Sequence, residues 1–139
     1  MRLWYARGKM AYGDGTELGN LETALEAAGI AWWWMELPSG VVFFSPNKAK
    51  MLDRDPSDFM HYKSFTDLVH PDDYERIMQD MRNHLEGKVD TYETSYRIKA
   101  KDGSYKKFYD RGKIVSRKNG ETVVAGVVID ATNYEKHVS

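Results

Sequence analysis

No cysteine occurs in the 139 residues. That excludes disulfides, thiolate catalysis, cysteine-ligated zinc and any cysteinyl cofactor adduct. No apolar run approaches the ~18 residues of a membrane-spanning helix. The opening Met1-Arg2-Leu3-Trp4-Tyr5 lacks the long apolar stretch and small-residue cleavage site of a signal peptide. Neither sign of charge is in excess: 20 Lys and Arg face 21 Asp and Glu, a net charge of −1. The basic footprint for nucleic acid or an anionic membrane is therefore missing. Enzyme signatures are missing too, with no Gly-x-Ser-x-Gly elbow, Gly-rich phosphate loop or His-Glu-x-x-His helix, and no catalytic residue is assigned. His70, Asp72 and Asp73 do not read as a metal site. Pro71 starts a helix there, and both carboxylates fall in its first turn, where the helix dipole favours them. The expectation is a cytoplasmic, non-catalytic protein with no nucleic-acid partner and no membrane partner in this segment.

What is abundant is aromatic surface. Aromatic residues make up 13% of the chain within a hydrophobic fraction of 42%, enough for one folded domain with a proper core. Trp32, Trp33 and Trp34 stand in a row in Ile30-Ala31-Trp32-Trp33-Trp34-Met35-Glu36-Leu37. A strand sends successive side chains to opposite faces. Trp33 and Met35 then share one face and Trp32 and Trp34 the other. Each ring buries about 150–250 Å², so both sheet faces need a cover.

Around this strand the chain divides readily. Glycines at 8, 13, 15 and 19 punctuate a lead-in over residues 1–19. Asn20 reads as an N-cap, with Leu21, Ala24, Leu25 and Ala28 at helical spacing and Gly29 as the stop. Pro38-Ser39-Gly40 turns the chain into a second strand, Val41-Val42-Phe43-Phe44. Short helical pieces fill 47–69. A long helix opens at His70-Pro71-Asp72-Asp73, with Tyr74, Ile77, Met78, Met81 and Leu85 as its apolar stripe and Gly87 as its end. Three strands follow: Thr91 to Lys99, Tyr105 to Ser116 and Thr122 to Ile129, with Asp102-Gly103 and Lys118-Asn119-Gly120 as turns. The last strand is nearly all apolar and reads as central. The fold class is α+β: a five-stranded antiparallel sheet with helices inserted between strands 2 and 3 and an N-terminal flanking helix.

Five motifs in this order resemble the PAS domain family, in its subgroup with a PAC-type second half. They are Gly29-Ile30 before the tryptophan strand, Val42-Phe43-Phe44-Ser45-Pro46, Leu68-Val69-His70-Pro71-Asp72-Asp73, Tyr96-Arg97-Ile98 followed by Lys101-Asp102-Gly103-Ser104, and Gly126-Val127-Val128-Ile129-Asp130-Ala131-Thr132. The resemblance covers about residues 20–136, with 137–139 as the start of a C-terminal linker. It departs at Ala131, where the family has Ile, at Met35, where a second Trp is common, and at Lys106 and Lys107, where a Trp is common. The resemblance implies a regulatory sensor domain upstream of an output domain such as a histidine kinase or diguanylate cyclase. It also implies signalling through the termini and one sheet face across a homodimer.

The ligand reading places Trp33, Met35, Phe43, Met78, Tyr96 and Tyr109 around an apolar pocket for a small apolar or aromatic molecule. The signalling or dimer face is assigned to Leu21, Leu25, Trp32, Trp34, Asp130 and Thr132, with the helix from Leu21 to Ala28, its own or a partner's, covering the two outer tryptophans. The cofactor is unknown. Covalent flavin is disfavoured by the missing Cys. Haem is disfavoured because Met78 and Gln79 stand where the resemblance would place its His, and His84 sits near the helix end. Two other classes stand beside it: a ligand-free dimerisation or docking module of the same fold, which is a serious competitor, and a cone-shaped enzyme of the ketosteroid isomerase type, which fits poorly. The latter places its main helices before most of its sheet, whereas two strands come first here.

Overall fold

The computed structural model describes residues 16–132, so the expectations for the lead-in before 16 and for the domain end and linker after 132 lie outside the described residues. Helix α1 (Glu17–Ala27) leads into β1 (Ile30–Leu37) and β2 (Val41–Phe44). Then come α2 (Asn47–Lys50), a 3₁₀ turn (Pro56–Asp58), α3 (Tyr62–Thr66) and the long helix α4 (Pro71–Leu85). β3 (Tyr92–Lys99), β4 (Tyr105–Lys118) and β5 (Glu121–Asp130) complete an antiparallel sheet in the order β2-β1-β5-β4-β3. The nearly all-apolar β5 is the middle strand, as its sequence implies.

The first helix differs from expectation. Its N-cap is Thr16, whose hydroxyl accepts from the Gly19 N–H at 3.0 Å, so Asn20 lies one turn inside. Gly19 and Glu22 are its buried residues. Leu21 is 57% exposed and Leu25 is half-buried, so the helix does not turn Leu21 onto the sheet. The cause is helical phase: Leu21 stands about 100° around the axis from Glu22, and the tight turn at Gly29 (φ +72°) leaves no slack to rotate the helix.

One sheet face carries the core. Phe44, Trp33, Gly126, Gly112 and Tyr92 lie side by side across all five strands. Both glycines are there because the Trp33 ring lies over them: a Cβ on Gly126 would stand 2.8 Å from the indole, and one on Gly112 2.9 Å. Neighbouring rows add Met35, Val42, Val124, Phe108 and Tyr96 to the same face. Phe59 and Phe65 close one end, meeting Phe44 edge-on with ring centroids 6.1 and 5.2 Å away.

Helix α4 spans this face and is fastened at both ends. His70 caps it, its Nδ1 accepting from the Asp72 N–H, and Pro71 takes the first position. Asp73 is not merely a dipole partner. Its carboxylate takes the Arg97 guanidinium in a bidentate pair at 2.8 and 2.9 Å and the Arg97 backbone N–H at 2.9 Å. The paired Arg97 side chain holds Asp73 well below the usual carboxylate range. At the other end His84 is buried. Its Nε2 accepts from the Ile114 N–H at 3.0 Å, so the ring carries its proton on Nδ1 and donates to the Val89 carbonyl at 3.0 Å. Ile114 borders the irregularity in the β4–β5 register.

Asp73 has its pKa depressed on folding, so its contribution is present above the unfolded carboxylate pKa, near ~4, and is lost as pH falls below it. Asp73→Asn should cost about 2 kcal/mol in urea unfolding at pH 7, and the gap from the parent chain should shrink as the pH is lowered below 4. An unchanged gap at pH 3 would contradict the role given to this pair.

Candidate functional site

Between α4 and the inner sheet face lies a cavity of about 260 Å³. Apolar side chains dominate its wall. Met35, Val42 and Trp33 come from β1 and β2, Ile77, Met78, Met81 and Leu85 from α4, and Tyr92, Tyr96 and Ile98 from β3. Strand alternation and the i, i+3/i+4 stripe of α4 bring these residues to one place. The volume is just below the ~300 Å³ at which small-molecule pockets usually begin.

Trp33, Met35, Met78 and Tyr96 of the expected set line this cavity. Phe43 and Tyr109 do not. Phe43 is registered with Trp34 and stacks on it at 5.3 Å on the opposite face, and Phe44 takes the inward position. Tyr109 also points outward and bonds the Glu93 carboxylate. Its neighbours Phe108 and Asp110 are the inward residues. Period 2 allows only one of two adjacent residues on a face, and the Trp33–Phe44 pairing settles which one.

Three charged residues, Asp110, Lys48 and Arg82, stand on the wall where the sequence predicts none. Asp110 is 5% exposed, and its carboxylate accepts from Trp33 Nε1 at 2.7 Å and from the Tyr96 hydroxyl at 2.5 Å. Burial raises its pKa, while Lys48 and the two donors oppose the rise. Burial likewise pushes the Tyr96 hydroxyl well above its ordinary value, with Asp110 adding to it. Lys48, on the four-residue helix α2, is 7% exposed. Its ammonium sits 3.9 Å from the Phe65 ring centroid and 5.8 Å from that of Trp33. Burial lowers its pKa to about 8 against the opposing pull of Asp110. A sequence signal existed for the glycines, since Gly inside a strand marks close approach. None existed for an inward Lys48.

On the outer face Trp32 and Trp34 stack at 5.1 Å, and Phe43 continues the ladder. Asp130 and Thr132 tie β5 to β4: the Thr132 hydroxyl accepts from the Lys107 N–H at 2.7 Å, and Asp130 pairs with Lys106 at 3.7 Å. Among the described residues no group of His, Asp and Glu is gathered as a metal would need, and no helix is long and apolar enough to cross a membrane.

Gly126→Ala should lower stability by about 2–3 kcal/mol, because the added Cβ would meet the Arg111 carbonyl at 2.2 Å as well as the indole. Near-ultraviolet dichroism should register the displaced Trp33, and a native spectrum with unchanged stability would refute the close packing. For Lys48 the slope has the same sign as for Asp73 but lies in an alkaline window, because burial lowers this pKa as well. The folded chain releases this proton near pH 8 and the unfolded chain near 10.5, so stability rises with pH across that window. Lys48→Met should therefore be more stable than the parent at pH 7, by up to about 3 kcal/mol, with the difference narrowing towards pH 10.

Comparison with known proteins agrees with this architecture. A methyl sulfide methyltransferase-associated sensor from Methanosarcina acetivorans is 29% identical over 105 residues, 74% of this chain and 10% of that protein. The chain thus spans about a tenth of the curated relative it matches. A sensory box histidine kinase/response regulator from Burkholderia thailandensis superposes with a TM-score of 0.68 at 24% identity, covering 84% of this chain and 88% of the other. The N-terminal domain of a diguanylate cyclase with PAS/PAC sensor from Marinobacter aquaeolei gives 0.68 at 19% identity, covering 76% and 98%. The family described as the PAS fold matches residues 41–128, from the start of β2 to near the end of β5, and this chain belongs to that family.

Proposed function

We propose that this domain is a sensor module of a longer signalling protein. It admits a small apolar molecule between α4 and the inner sheet face, and it passes the result to an output domain such as a histidine kinase or diguanylate cyclase. The observation that carries this reading is the cavity itself, an apolar space walled by Trp33, Met35, Met78 and Tyr96 inside a PAS fold. The named functions of the relatives support the signalling context. The domain itself is non-catalytic in this reading. Its outer face, with the Trp32–Trp34–Phe43 ladder and the Asp130–Thr132 closure, is the side assigned to a homodimer and to signal output.

Native mass spectrometry and thermal shift with indole and toluene test the cavity. A bound mass, or a rise of several degrees at saturating probe, is expected for the parent chain and should vanish in Met78→Trp, which fills the space. No binding to either probe, together with a stable dimer by light scattering, would favour a ligand-free dimerisation module instead. Trp32→Ala/Trp34→Ala should weaken the dimer while leaving probe binding intact.

A further inference from the structure

The cavity wall holds one cationic group that meets no acceptor among the described residues. Lys48 is more than nine-tenths buried and lines the cavity. Its ammonium makes no hydrogen bond and no ion pair among the described residues. Its contacts there are the faces of Phe65 and Trp33. A ring face attracts the charge but accepts none of the three N–H donors in the way an oxygen does. Asp110 is the obvious partner, yet it stands outside ion-pair distance, and both its oxygens are already engaged by Trp33 Nε1 and the Tyr96 hydroxyl. Arg82, also on the wall, is turned to Gln79. The α2 backbone fixes this arrangement: Ser45 and Asn47 tie the start of the helix to β1, and Ala49 and Leu52 are fully buried beside Lys48.

We propose that the cavity takes a small carboxylate with an apolar body, its carboxylate received by Lys48 and its body by Met35, Ile77, Met78 and Tyr96. This rests on the ligand-sensing reading above and names its ligand class. A buried cation with free donors is expensive unless an anion meets it, and a charge-assisted pair in an apolar site is the strong form of that contact. Burial lowers the lysine pKa, and an anion beside the ammonium would raise it again. A cavity of about 260 Å³ lies just below the ~300 Å³ at which small-molecule pockets usually begin, which suits a body of one ring or a short chain.

The test is a matched-pair comparison on the purified chain by calorimetry and thermal shift: phenylacetate against phenylacetamide, and hexanoate against hexanamide. Each carboxylate should bind at least tenfold more tightly than its amide. Lys48→Met should abolish that preference while still binding the amides, and Lys48→Gln provides a second neutral side chain should the first fail to fold. Equal affinity within each pair would overturn the anion assignment and leave the apolar-ligand reading standing. So would a preference that survives Lys48→Met. If none of the four probes binds while indole or toluene does, the proposal also fails. If nothing binds at all, both readings fall together. The comparison in the unsubstituted chain reads out whether or not either variant folds.

Discussion

The packing of Trp33 over Gly126 and Gly112 is the constraint on which the inner face depends. A ring of this size removes about 200 Å² from water, of order 5 kcal/mol by area alone. It can do so only because two adjoining strands offer bare backbone beneath it. The indole then reaches across β5 and delivers its N–H to Asp110 on β4, with Tyr92 of β3 edge-on beyond it at 6.1 Å. Four of the five strands are thereby joined through one side chain. The same contact sets which members of β1, β2 and β4 look inward, and hence where the cavity lies.

Most of the architecture was legible because it rests on local signals. Asp102-Gly103 and Lys118-Asn119-Gly120 mark the turns, the α4 stripe runs at helical period, and β5 is apolar throughout. The misplacements arose where adjacent residues compete for one face. In Val41-Val42-Phe43-Phe44 every residue is apolar, so composition carries no phase, and only the pairing of Trp33 with Phe44 supplies it. In Phe108-Tyr109-Asp110 hydrophobicity favours an inward Tyr109. The reverse holds because Trp33 and Tyr96 each bring a donor that makes a buried Asp110 tolerable. Such a preference is created by residues far away in sequence and leaves no mark on the strand itself.

The two buried charges illustrate the same dependence on distant partners. Asp110 accepts one hydrogen bond on each oxygen, whereas among the described residues the Lys48 ammonium meets aromatic faces. They oppose each other's burial penalty without forming a pair. The polarity of the cavity is therefore lopsided, with a hydrogen-bonded anion on the sheet side and a cation held over aromatic rings on the α2 side. The outer face is built differently, from stacked rings and the β4–β5 closure at Thr132, and it shares no side chain with the cavity.

Helix α4 is strung like a bow. Asp73 nails its first turn to Arg97 on β3, and His84 nails its last to Ile114 on β4, while Ile77, Met78 and Met81 between them face the empty space. Arg76 adds a third tie from the helix to β3, meeting the Thr94 hydroxyl at 2.9 Å and the Ser95 carbonyl at 2.7 Å. A rod pinned at its first turn, along its length and at its last resists sliding and swinging alike, so the width of the space beneath it is set by fastenings on two different strands.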